Sequence, residues 1–371
     1  MTKPIAVLFI AGTALMAGHA LAAEPSGLCV SAMKAVPAAT ECRRTPGGAV
    51  IGKNAAAVAA VAIAAAEGEK KFQAFFNRPV PQYAVSFFVG DQSASAALRL
   101  ADFNVVLPWL DPESKSVAMD QSVRRAVLKA VEGRNMAPEQ IEALVVQAKS
   151  KMPQISAAKA ADTDAGAVAH ELGHQWFMKS FWPGQSVGKL GHYGGPAPDW
   201  LDELAAVLHE NDQLTADRRR QFKAVYLQQP DREVFLDITA DDLTDLQKYL
   251  SREHPANKGV RDAIAKMTQA NDGKRSPDGV PDGVYILTGA EAAAVSRDGL
   301  MFYLQSRAFA DFMIERTRNL RIFAEIAAAD ADGVSFPRWL AKSGSKYKLA
   351  ASVPLLEKQW RVWLKAKHGS L

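Results

Sequence analysis

Apolar residues in this chain recur mainly at helical spacing. The alanine-rich run from Asn54 to Phe76, with its charges near the end, predicts a helix. Tyr83 to Val89 and Phe103 to Leu107 carry the β-branched and aromatic density of strands, and the small, polar run Gly90 to Ala97 reads as the connection between them. Ser122 to Glu132 and Ala137 to Lys151 read as helices, the second opened by Pro138 in its first turn. Asp162-Thr163-Asp164 supplies an N-cap and an acidic first turn for a helix running to about Ser180. The glycine-rich stretch Pro183 to Pro198 is a loop, and a new helix starts near Asp199 and continues to about Glu210. Met301 to Thr317 is an amphipathic helix with Leu304, Ala308, Phe309, Phe312 and Met313 on its apolar side, and Trp339, Trp360, Trp363 and Leu364 mark further packed helices. The pattern predicts an α+β protein in which helix predominates.

The N-terminal residues change the picture of where the chain works. Lys3, an apolar run from Ile5 to Met16 and then Ala20-Leu21-Ala22 have the order of an export signal, predicting residues 1–22 as a signal peptide cleaved before Ala23 and a periplasmic or secreted protein. No later apolar stretch has spanning length, so no stable membrane span is expected. The two cysteines, Cys29 and Cys42, follow that cleavage point and are expected to pair as a disulfide in an oxidising compartment. The net charge is +4 with acids and bases interspersed, which gives nucleic-acid binding no support. Residues 272–283 hold several Asp-Gly turns, but without the alternating acids and terminal Glu of a calcium loop they read as solvated turns.

The chemistry concentrates in Ala169-His170-Glu171-Leu172-Gly173-His174-Gln175-Trp176-Phe177. On a helix, two imidazoles four residues apart share a face, with a carboxylate beside the first: the ligand pair and base of a zinc peptidase. A catalytic zinc needs a third protein ligand and an open position for water. Completion by a third His in the metzincin manner fails, because Phe177 and Ser180 stand where Gly and His are required. The other route is a glutamate on the next helix, and Pro198-Asp199-Trp200-Leu201-Asp202-Glu203-Leu204-Ala205-Ala206 offers one. His192 and His209 are competing ligand candidates, while Trp176 and Phe177 read as packing residues.

With these two segments the chain resembles the gluzincin peptidases, the group that holds thermolysin and aminopeptidase N. In that group a Trp-Leu-x-Glu-Gly-x-Ala motif follows His-Glu-x-x-His-Gln-Trp-Phe. The resemblance implies zinc held by His170, His174 and Glu203, with Glu171 as general base. It also implies that Tyr303, in Tyr303-Leu304-Gln305-Ser306, stabilises the oxyanion. Asp202 becomes a candidate to orient a histidine ring. Leu204 stands where the family has Gly, and the twenty-eight residues between His174 and Glu203 exceed the family's usual gap. The implied fold is a gluzincin-like core over residues 81–215 with a small sheet, preceded by an N-terminal helical region over 23–80 and followed by a helical C-terminal lobe over 216–371. Tyr83 to Val89 is the candidate edge strand for aligning an extended substrate.

The expected activity is hydrolysis of a peptide or protein substrate by zinc-activated water. Endopeptidase is preferred, because the Gly-x-Met-Glu-Asn segment that aminopeptidases use for a free α-amine is absent from the sequence. Two alternatives stand beside it. One is a non-catalytic binding or scaffold protein on a peptidase-like fold, suggested by Leu204; the other is a zinc amidase acting on cell-wall material.

Overall fold

The computed structural model describes residues 27–150, 157–185, 195–229, 243–255, 258 and 289–369. The proposed signal segment 1–22, the loop around His192 and the turns at 272–283 lie outside these residues. Helix makes up 69%, and the strands among the described residues form one four-stranded sheet, so the architecture is α+β with helix predominating.

The sheet is ordered β1 (Glu41–Arg44), β2 (Gly48–Gly52), β3 (Tyr83–Ser86) and β4 (Val105–Pro108), with β1 antiparallel to β2 and the rest parallel. Its two faces sort by alternation. Val50, Tyr83, Val85 and Val105 join the main core, while Ala49, Ile51, Ala84 and Val106 join a smaller one under α1 (Gly27–Ala35) and α3 (Gln92–Leu100). A disulfide between Cys29 and Cys42, with Cα atoms 5.8 Å apart, ties α1 to β1.

Sequence reading and structure part at several places here, the first being residues 23–80, expected to be helical, which hold β1 and β2 because both short strands lack an alternating pattern. The strand expected over Tyr83 to Val89 ends at Ser86 and lies between β2 and β4, so it offers no free edge; β4 is the outer strand on that side. The run expected to be a plain connection contains α3, because Asp91 caps it by accepting the Ala94 N–H at 2.9 Å after a turn at Gly90 with φ +83°. The helix expected to begin at Asp162 begins at Ala157, since the alanine-rich turn upstream is itself strongly helix-forming. Asp164 therefore sits inside that helix and pairs with Lys115.

The remaining helices wrap one continuous core. α2 (Ala55–Phe76) starts at Asn54, whose side chain accepts the Ala57 N–H at 3.0 Å, and lies against the sheet. α4 (Pro112–Ala130) and α5 (Pro138–Ser150) form an antiparallel pair joined by Arg124–Glu142 and Lys149–Asp120. Then come α6 (Ala157–Phe181), α7 (Asp199–His209), α8 (Asp212–Tyr226), α9 (Leu246–Ser251), α10 (Gly289–Thr317), α11 (Ile322–Ala331), α12 (Phe336–Ser343) and α13 (Val353–His368). Trp200 of α7 joins the parts, packing on Phe309 of α10 at 6.1 Å and Phe336 of α12 at 5.1 Å. No helix among the described residues is long and apolar enough to cross a membrane.

Candidate metal centre

α6 carries His170, Glu171 and His174, and its other face anchors it. Trp176 and Phe177 are fully buried, meeting Phe72 at 5.9 Å and Phe76 at 5.2 Å across the interface with α2. Gly173 sets the approach of α7. A Cβ there would lie 2.5 Å from His209 Nδ1 and 3.3 Å from the Ala206 Cα, so only glycine lets the two helices close to this distance.

That approach brings Glu203 to the histidine pair. His170 Nε2 and His174 Nε2 are 3.3 Å apart, Glu203 Oε1 is 3.4 Å from the first, and Glu203 Oε2 is 3.7 Å from the second. All three residues are buried and form a group able to hold a metal ion. Bonds of about 2.0–2.1 Å in a tetrahedron place neighbouring ligand atoms about 3.3–3.4 Å apart; the His170–His174 and His170–Glu203 separations match this, and the His174 contact at 3.7 Å is made by the other carboxylate oxygen. His209, the competing candidate, is outside this group. Its ring stacks on Phe72 and Phe76 at 5.4 and 5.7 Å, and burial lowers its pKa to about 3.

Each imidazole is held from behind. His170 Nδ1 is 3.2 Å from Glu210 Oε1, and His174 Nδ1 is 2.9 Å from Asp202 Oδ1. With both Nδ1 atoms facing carboxylates, both Nε2 atoms turn toward Glu203, where a bound cation would take the place of a proton. Glu210 is itself fixed by Arg218, whose Nη2 and Nε lie 3.0 and 3.2 Å from Oε1. Burial alone would raise the Glu210 pKa, but Arg218 and His170 outweigh it and hold the carboxyl near 2.

Electrostatics reflect the crowding of acids. Burial disfavours charge on His170, yet Glu203 and Glu210 raise its pKa to about 9, while burial and the neighbouring His170 push His174 down. Burial raises Glu203 to about 8. Burial also raises Glu171, which is half-buried beside the ligand pair. Tyr303 enters from α10, its ring 5.7 Å from that of His170 and 4.9 Å from the Arg218 guanidinium carbon.

Sequence reasoning did not single out Glu210, Arg218 or His254. Glu210 is the residue just past the end of α7, seven residues after Glu203, where helical spacing gives no assured direction. Arg218 and His254 carry no local motif; they are brought in by α8 and by the segment after α9. His254 places Nε2 3.5 Å from Glu203 Oε2.

Comparison with known proteins returns no match: no family model fits the chain, and no curated protein or solved structure is significantly similar to it.

Proposed function

We propose that this chain is an exported zinc metallopeptidase of the gluzincin type. The observation that carries the reading is the convergence of His170, His174 and Glu203 into one buried group able to hold a metal ion, with Glu171 beside them. Zinc bound there would supply Lewis acidity and lower the pKa of a bound water from about 15.7 toward 7. Glu171 takes the proton of the attacking water and passes it to the leaving amine, work worth roughly a hundredfold to ten-thousandfold. Burial raises its pKa, the direction that suits a group that must accept and then release a proton. Tyr303 donates to the developing oxyanion. Glu210 and Asp202 keep both imidazoles turned inward.

The substrate-aligning strand in this reading is β4. It is the outer strand, and Trp109 directly after it reaches α6 through an Nε1 contact of 3.4 Å to Asp164. An extended polypeptide laid along β4 would pass α6 at Asp164, on the helix that carries His170 and His174.

The test is the Glu171→Gln variant assayed with the wild-type protein on casein, defined peptides and peptidoglycan fragments. Zinc content should stay at wild-type level while hydrolysis falls by at least a hundredfold, and a chelator should abolish wild-type activity reversibly. Undiminished turnover in Glu171→Gln would overturn the mechanism. Hydrolysis confined to peptidoglycan fragments would replace the peptidase by an amidase.

A further inference from the structure

Glu203 differs from the two histidines in how it is supported. Both ring ligands lean on carboxylates, but the carboxylate ligand faces an imidazole: His254 Nε2 is 3.5 Å from Glu203 Oε2. His254 is fully buried and comes from the segment that follows α9, fifty-one residues beyond Glu203. Its placement is fixed twice. The backbone N–H of His254 donates to Asp199 Oδ2 at 2.7 Å, and its ring stands edge-on to Phe302 at 4.8 Å and tilted to Tyr303 at 5.5 Å.

Asp199 and Glu203 are four residues apart on α7, so one face of that helix grips both the main chain and the ring of His254. We propose that His254 is a positioning residue for Glu203. With its proton on Nε2 it competes for Oε2, which also lies 3.7 Å from His174 Nε2, and leaves Oε1, the oxygen 3.4 Å from His170 Nε2, to bind the metal. A carboxylate turned this way binds through one oxygen and leaves a coordination position open for water. Without His254 the carboxylate is free to rotate, and it holds the metal less firmly. This inference rests on the metal-centre reading above.

The measurement is metal release and cobalt spectroscopy on the full chain, neither of which depends on peptidase activity. Zinc-loaded wild type, His254→Leu and His254→Gln are mixed with a chromogenic chelator, and the same proteins are loaded with Co(II) and read by visible absorption. His254→Leu should release zinc roughly tenfold to a hundredfold faster and change the intensity of the cobalt bands. His254→Gln, which restores an N–H donor on a side chain of comparable reach, should recover most of the wild-type rate and spectrum. Asp199→Ala loosens the anchor without altering the ring and should shift both readouts in the same direction by less. Wild-type release and spectra in His254→Leu would overturn the proposal, as would equal losses in the Leu and Gln variants, which would assign His254 to packing alone. A wild-type protein that takes up neither metal overturns the metal-centre reading and this proposal together; uptake with unchanged variants overturns this proposal only.

Discussion

His174 Nδ1 lies 2.9 Å from Asp202 Oδ1, so the residue before Glu203 holds the outer edge of the ring whose inner edge faces Glu203. Consecutive helical residues point about 100° apart, which is how one turn of α7 reaches both sides of the same imidazole. Asp202→Ala should weaken zinc binding by roughly tenfold to a hundredfold with little change in folding. Glu210→Ala should weaken it similarly, and should also cost about 3 kcal/mol of stability because Arg218, whose side chain is only 14% exposed, is left without its carboxylate. Zinc competition titration and urea unfolding on both variants separate the two effects. Equal unfolding midpoints would contradict the role given to Arg218.

Metal-free protein should lose stability as pH rises from about 6.5 to 9. The native pKa of His170 is raised from 6.5 to about 9, so its contribution is complete below 6.5 and is lost as pH climbs through 9. Glu203, raised from 4.5 to about 8, acts with the same sign, because the native state holds a proton that the unfolded chain has released. His174 and His209, both lowered, oppose this only below 6.5, and Glu210, held near 2, is ionised in both states throughout the window. Zinc takes the place of the protons. Melting temperatures in chelator should therefore fall across this range, and the gap to zinc-loaded protein should widen. A flat profile in chelator would show that the cluster does not retain protons.

Legibility in the sequence followed how local the determinants are. His170, Glu171 and His174 are fixed by one helix and were readable from spacing alone. Glu203 needed a second helix and was reached through its neighbours Trp200 and Leu201, and Asp202 came with it. Glu210 sits just past the end of α7, where helical spacing no longer guarantees direction, and Arg218 and His254 depend wholly on tertiary placement. The fold divided in the same way. Long helices such as α2 were evident, whereas β2 is only Gly-Ala-Val-Ile-Gly with both faces covered, so it shows no alternation by which a strand is recognised. The interior position of β3 depends on β2 and could not be seen without it.

Gly173→Ala should separate α6 from α7. The added methyl would meet His209 Nδ1 at 2.5 Å, and that ring is held by Phe72 and Phe76 and has little room to yield. Overpacking of this kind costs about 1–3 kcal/mol. Because the movement draws Glu203 away from the histidines, zinc affinity should fall along with stability. Denaturant midpoints and zinc titration on the same preparation check both. A variant with lower stability and wild-type zinc affinity would mean that the strain is absorbed by His209 and not by the helix spacing.

Tyr303→Phe isolates the hydroxyl from the ring. The ring contacts to His170 at 5.7 Å, to His254 at 5.5 Å and to Arg218 at 4.9 Å do not involve the hydroxyl, so Phe keeps the packing. If the hydroxyl donates to the oxyanion, its interaction exists in the transition state and not with bound substrate, and its removal should lower kcat by roughly a hundredfold to a thousandfold while leaving KM nearly unchanged. Zinc content should be that of the wild type, because Tyr303 is not among the ligands. A fall in zinc content would move Tyr303 from transition-state stabilisation to support of the centre. An unchanged kcat would leave it as a wall of the site, with the oxyanion stabilised by other groups.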